Sequence, residues 1–201
     1  MFLAAYFLAS FFLGAIPNAY LAGRLLKNID IRSHGSGNVG ATNVFRVLGR
    51  GPGIAVFGLD FLKGALPVLL FAGAFPQTGD PELLRFMAGL SAVFGHMFTP
   101  FLGFKGGKGI ATGAGALCAA FPPSFLVALS VWIAVFLASK TVSLSSLTAV
   151  LALFISGFFI QTKGEIRGVF LGLVLLVFWS HRANIGRLLK GQEHRFSKQT
   201  K

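Results

Sequence analysis

Acidic residues are scarce in this chain. Six Asp and Glu stand against 18 Lys and Arg in 201 residues, and charged residues of both signs make up only 12%. Cysteine is nearly absent: Cys118 stands alone among alanines and leucine, which excludes an intrachain disulfide framework and a thiolate metal cluster. It reads as a small interior residue. The net charge of +12 does not signal nucleic acid, because the basic residues are dispersed between apolar runs and form no arm or stacking platform.

Several reaction motifs are missing too. A Walker A loop ending at Gly107-Lys108 would need glycine at Leu102 and a hydroxyl at Gly109. A histidine base with a carboxylate five residues on is excluded, since His34, His96, His181 and His194 are followed at that offset by Val39, Phe101, Gly186 and Gln199. There is no Gly-x-Ser-x-Gly elbow. No metal site and no cofactor are expected.

What the chain has is apolar length: 54% of its residues are hydrophobic, in recurring uncharged runs that mark an integral membrane protein. The opening run lacks the basic start and small-residue cleavage site of a secretory signal, so it reads as a retained span. The spans expected are 1–24, 53–75, 84–102, 108–121, 124–139, 142–161 and 165–180. Pro122-Pro123 divides the long uncharged run after Gly109, because proline inside a helix removes a hydrogen bond and clashes with the preceding turn. Seven spans then place every Lys and Arg except Lys63, Arg85, Lys163 and Arg167 on one face, together with the C-terminus. By the positive-inside tendency that face is cytoplasmic and the N-terminus lies outside. Asp80, Glu82 and Glu165 fall on the outer face. The expectation is a single all-α integral membrane domain over 1–201, seven transmembrane helices with some short, and a disordered tail from about 194.

Three polar segments share the cytoplasmic face. In the first, RSHGSGNVGATNVFR, Gly35, Gly37 and Gly40 alternate with Ser36, Asn38, Thr42 and Asn43, a composition that exposes backbone N–H groups to an anion, and Arg46 adds a forked cation. The same residues also suit a connecting loop with helix caps. In the second, FKGGKGIAT, Gly106, Gly107 and Gly109 with Lys105 and Lys108 lead into a helix whose free N–H groups favour anions, with Thr112 in its first turn. A turn obeying charge topology is the plainer alternative. That helix is too short for a hydrocarbon core of about 30 Å unless its start is recessed. In the third, HRANIGRLLKGQE, His181, Arg182, Asn184, Arg187 and Glu193 recur at helical spacing before a break at Gly191. Anionic lipid headgroups alone would also suit it.

Within the spans, Asp60 and Lys63 are three apart on one helical face and either neutralise each other or orient a neighbouring cation. His96 is placed to bind phosphate, to move a proton or to serve as a satisfied interior histidine. Ser143, Ser145 and Ser146 read as ordinary polar residues at a helix start.

SGNVGATNVFR, KGGKGIAT and HRANIGRLLKGQE, with GLDFLKG at 58–64 and GHMF between, resemble the bacterial acyl-phosphate:glycerol-3-phosphate acyltransferases of the PlsY type along nearly the whole chain. The resemblance implies transfer of a fatty acyl group from acyl phosphate to the 1-hydroxyl of glycerol 3-phosphate at a bacterial inner membrane. By motif position it assigns Ser36, Asn38, Thr42, Asn43 and Arg46 to the donor, with Gly37 and Gly40 in the loop backbone. Lys105, His181 and Asn184 go to glycerol 3-phosphate, while residues 106–109, Lys108 and Thr112 complete the anion pocket. Ser36, Arg46 and His96 are the catalytic candidates; Asp60, Lys63, Arg182, Arg187 and Glu193 support. Membrane lipid is the implied surrounding partner, and the enzyme that makes acyl phosphate a transient one. The alternative is a transporter for phosphate or a phosphorylated metabolite, which would need polar groups continuing to the outer face.

Overall fold

The computed structural model describes residues 2–74, 81–161 and 163–196. All regular structure among them is helical, in two compact units, Met1–Ala120 and Phe121–Lys201.

The first unit holds α1 (Phe2–Ala15), α2 (Asn18–Lys27), α3 (Ala41–Leu48), α4 (Arg50–Ala74), α5 (Pro81–Met97) and α6 (Ile110–Ala120). The expected first span is therefore broken. Pro17 has no N–H to continue α1, and the chain restarts as α2 at Asn18. The break draws in side chains: Thr99 Oγ1 donates to Ala15 O at 2.7 Å, and Lys63 Nζ donates at 2.9 Å to Ile16 O, which also accepts the Asn18 N–H at 3.1 Å. Apolar helices gain little from burying more apolar surface in lipid, so close packing must hold them together. Glycine supplies it here. A Cβ on Gly14 or Gly95 would run into the backbone of Ala92 or Phe11, where α1 meets α5. One on Gly64 or Gly115 would strike the backbone of Thr112 or Phe61, where α4 meets α6.

The second unit holds α7 (Pro122–Ser139), α8 (Val142–Ile160), α9 (Gly164–Ser180) and α10 (Arg182–Leu189). The expected proline break is present: α6 ends at Ala120 and α7 starts with Pro122 and Pro123 at its first positions. Trp132 Nε1 donates to Ser146 Oγ at 3.2 Å between α7 and α8, and Phe121 packs edge-on against Phe170 of α9 at 5.6 Å.

Among the described residues four stretches are long and apolar enough to cross a bilayer: Phe2–Lys27, Arg50–Phe71, Pro122–Ser139 and Val142–Ile160. A fifth is α9 with α10, if their 65° bend falls within one span. The expected third span is the 17-residue α5, followed by a 3-10 turn at Pro100–Leu102. The 11-residue α6 extends only about 16 Å at 1.5 Å per residue, about half a hydrocarbon core.

Candidate active site

The first polar loop is folded, with its apolar residues turned inward. Ile31, Val39 and Val44 join Ala19, Val56 and Leu102 in a small core, which fixes the loop against α2, α3 and α4. At its start Asp30 accepts the Arg32 backbone N–H at 3.0 Å and the Arg32 guanidinium at 2.7 Å. Those bonds hold the Asp30 carboxyl down at about 2, so it stays ionised beside Arg32 and, 3.9 Å away, Arg24. Gly37, at φ +71°, turns the chain where a side chain would be strained.

Asn43 organises the rest. It is fully buried, its Oδ1 accepts the Ser36 N–H at 2.8 Å, and its Nδ2 donates to His34 O at 3.0 Å and Ile31 O at 3.2 Å. The Asn43 side chain is thus engaged with the loop's own backbone. Ser36 is exposed, while Asn38, Thr42 and Arg46 are half-buried on the same segment. α3 follows Gly40 with no side-chain cap, the Gly40 carbonyl taking the Asn43 N–H at 3.0 Å, and its positive end favours an anion.

The second loop lies as a strap over the end of α5. Gly106 N donates to Met97 O at 3.0 Å and Gly107 N to His96 O at 3.1 Å, taking up carbonyls that α5 leaves open. A Cβ on Gly107 would collide at once with the His96 ring and with Val39 O of the first loop. Only glycine lets the two loops and His96 meet here. Lys105 is exposed, Lys108 half-buried, and Gly109 turns into α6 at φ +78°. Thr112 is fully buried, and its Oγ1 makes no hydrogen bond among the described residues. It is the Thr112 backbone carbonyl that packs against Gly64 of α4.

Behind the strap is a buried polar cluster. Asp60 Oδ1 receives Asn18 Nδ2 at 2.9 Å and pairs with Lys63 Nζ at 3.0 Å, and His96 Nδ1 lies 3.8 Å away. The expected Asp60–Lys63 pair is present, with both side chains almost wholly buried. Asn18 was missed. Its only sequence signal is a polar residue inside a run otherwise read as one lipid-facing helix.

The second unit carries its own cluster. Glu193 accepts from Asn184 Nδ2 at 2.6 Å, Arg187 Nε at 2.7 Å and Ser143 Oγ at 2.9 Å. Burial pushes its carboxyl up, but the three hydrogen bonds and the Arg187 charge outweigh this and leave it below the ordinary range. Ser143 is thus a structural partner, not an incidental serine. His181 is buried, with Nδ1 2.9 Å from Val177 O, and Arg182 stacks on Trp179 at 4.7 Å while donating to its carbonyl at 3.0 Å. In the expected disordered tail from about 194, Phe196 N donates to Lys140 O at 2.6 Å and its ring packs on Phe136. Residues 197–201 and Asp80 lie outside the described residues.

The family model for glycerol-3-phosphate acyltransferase matches residues 4–191. Curated glycerol-3-phosphate acyltransferases similar to the chain include that of Aquifex aeolicus, 44% identical over 89% of this chain and 95% of the relative. That of Synechococcus sp. strain CC9902 is 45% identical over 95% of this chain and 94% of its own. The crystal structure of PlsY, an integral membrane glycerol 3-phosphate acyltransferase, in its glycerol 3-phosphate form superposes with a TM-score of 0.90. It is 39% identical and covers 98% of this chain and 96% of its own. The lysophosphatidic acid form of PlsY superposes at 0.87. The fold, the glycine-and-cation loops and these likenesses define an integral membrane acyltransferase. The chain belongs to the glycerol-3-phosphate acyltransferase family.

Proposed function

We propose that this protein transfers a fatty acyl group from acyl phosphate to the 1-hydroxyl of sn-glycerol 3-phosphate, giving 1-acylglycerol 3-phosphate (lysophosphatidic acid) and phosphate, the first step of phospholipid biosynthesis. The observation that carries this reading is the meeting of the two cationic glycine loops at Gly107 and Val39 in the first unit. Both substrates present phosphate, and one also carries a long apolar chain. Anion-ready helix starts and a recessed, half-length α6 suit a headgroup reaction whose acyl chain stays in the bilayer. The charge distribution supports seven spans, an outer N-terminus and a cytoplasmic site and C-terminus in the bacterial inner membrane.

Acyl phosphate is a mixed anhydride with a good leaving group, so the protein's task is to position two anions against their repulsion and to stabilise the oxyanion. The glycerol hydroxyl oxygen attacks the acyl carbon, the new ester C–O bond forms and the acyl C–O bond to phosphate breaks. The hydroxyl proton leaves on the departing phosphate. Ser36, Asn38, Thr42 and Arg46 are assigned to the donor, with Gly37 and Gly40 giving backbone access. Lys105, Lys108 and the 106–109 loop are assigned to phosphate binding, with the Gly106 and Gly107 N–H groups spent on α5 carbonyls and holding the loop in place. In the second unit His181 and Asn184 are proposed to hold glycerol 3-phosphate on the strength of the family motif, with Arg182, Arg187 and Glu193 in support.

The test is detergent-solubilised protein mixed with glycerol 3-phosphate and palmitoyl phosphate, palmitoyl-CoA or palmitoyl acyl carrier protein in turn. Lysophosphatidic acid from the first donor alone is expected. Product only from a thioester donor would overturn the donor assignment. No product, with phosphate uptake in vesicles, would favour a transporter, the reading to which the broken first span and the short α6 lend some support.

A further inference from the structure

We infer that His96 is a positioning residue: the Asn18–Asp60–Lys63–His96 cluster fixes the phosphate-binding strap at Gly106 and Gly107 from behind. The inference rests on the strap's proposed role in phosphate binding. Three features place the cluster there. The His96 ring lies between the Asp60 carboxylate, 3.8 Å from Nδ1, and the Cα of Gly107, where an added Cβ would strike Nε2 and Cε1. The backbone of the same residue accepts the Gly107 N–H, and that of Met97 accepts the Gly106 N–H, so ring and main chain both set the height of the strap. His96 is only 8% exposed, which leaves little of the ring for a reacting hydroxyl.

The cluster is anchored on three helices. Asn18 comes from the restart of α2, Asp60 and Lys63 from α4, and His96 from the last turn of α5. Lys63 also donates to Ile16 O at the break after α1. Asp60 Oδ1 is common to all three neighbours, so a change there reaches the strap through a single ring. Val39 O, against the other side of Gly107, makes the first loop the opposite wall. A strap clamped in this way carries Lys105 and Lys108 on a fixed backbone before substrate arrives, which lowers the cost of binding a phosphate.

The test has two arms on the full-length protein in detergent. In the first, amide hydrogen exchange is followed at 104–109 without substrate. His96→Ala and Asp60→Asn are expected to speed exchange at Gly106 and Gly107 about tenfold or more, by loosening the two strap hydrogen bonds. Phe71→Leu, in the buried core of the same unit, lowers the melting temperature and leaves strap exchange unchanged. In the second arm, His96→Ala raises KM for glycerol 3-phosphate about tenfold with kcat within about threefold and the pH profile retained. His96→Gln, whose amide still fills the gap, recovers part of the KM effect. Strap exchange unchanged in both cluster variants would overturn the inference. So would a kcat loss of about a hundredfold in His96→Gln with KM intact and one limb of the pH profile gone, the signature of a general base. Should the wild type make no lysophosphatidic acid from any donor, the acyltransfer reading fails, while the exchange arm still decides whether the cluster holds the strap.

Discussion

Each unit of the molecule is organised around one carboxylate, and the two carboxylates differ in what surrounds them. Asp60 lies among transmembrane helices, 2% exposed in its side chain, and meets an asparagine, a lysine and a histidine from three helices. Glu193 lies after the last helix and meets an asparagine, an arginine and a serine, with Arg187 36% exposed. The helices around Asp60 approach backbone to backbone through Gly14, Gly64, Gly95 and Gly115. In the second unit a Cβ on Gly157 would meet the Phe170 ring, a side chain, at 3.1 Å, and one on Gly168, Gly172 or Gly186 would meet nothing within 4 Å. The first unit is built to hold buried polar groups at fixed distances, and the second ties down a terminal segment.

The sharpest way to break that contrast is at the glycines. Gly64→Leu should cost at least about 3 kcal/mol, the upper end of overpacking, because its new side chain meets the Thr112 backbone and not a movable side chain. Folded yield and melting in detergent measure it. Gly168→Leu serves as the partner variant, and equal melting of the two would remove the distinction between the units.

Next in size is the buried pair. Asp60→Leu leaves the Lys63 ammonium unpaired and should cost about 3–5 kcal/mol, whereas Asp60→Leu with Lys63→Met should recover most of the loss. A double variant no more stable than the single would show that the charge is not what matters.

Glu193→Gln is expected to cost only about 1 kcal/mol, because half-exposed Arg187 is screened by water. Its sign with pH is definite. A carboxylate held below its ordinary 4.5 contributes stability that is full above that pH and fades as pH falls through its lowered folded value. The gap in melting temperature between wild type and Glu193→Gln should therefore close below about pH 4.5; a gap that widened would contradict the bonding described here.

The smallest effect is Gly172→Ala, a gain of up to about 1 kcal/mol from helix propensity, since the new methyl meets open space. A loss at this position would mean that the second unit packs as closely as the first.

Much of the architecture was legible in the sequence because single residues carry it. Pro122-Pro123 forces α6 and α7 apart, three-residue spacing puts Asp60 and Lys63 together, and the glycine-and-lysine composition marks the second loop. What stayed hidden depends on neighbours far along the chain. Pro17 falls inside the expected span 1–24, and the break there becomes visible only with Lys63 and Thr99 donating to the carbonyls just before it. Asn43 and Thr112 have the right chemistry for a ligand, and only the folded chain shows that the first bonds its own loop and that both are fully buried. Ser143 differs from Ser145 and Ser146 only in facing Glu193.

The break after α1 also ties distant parts of the chain to one point. An unsatisfied backbone group is costly in hydrocarbon. Ile16 O keeps a local partner in the Asn18 N–H and adds the Lys63 ammonium from 47 residues later, while Ala15 O takes the Thr99 hydroxyl from 84 residues later. A proline near the start of the chain is thus completed by side chains from much further along it.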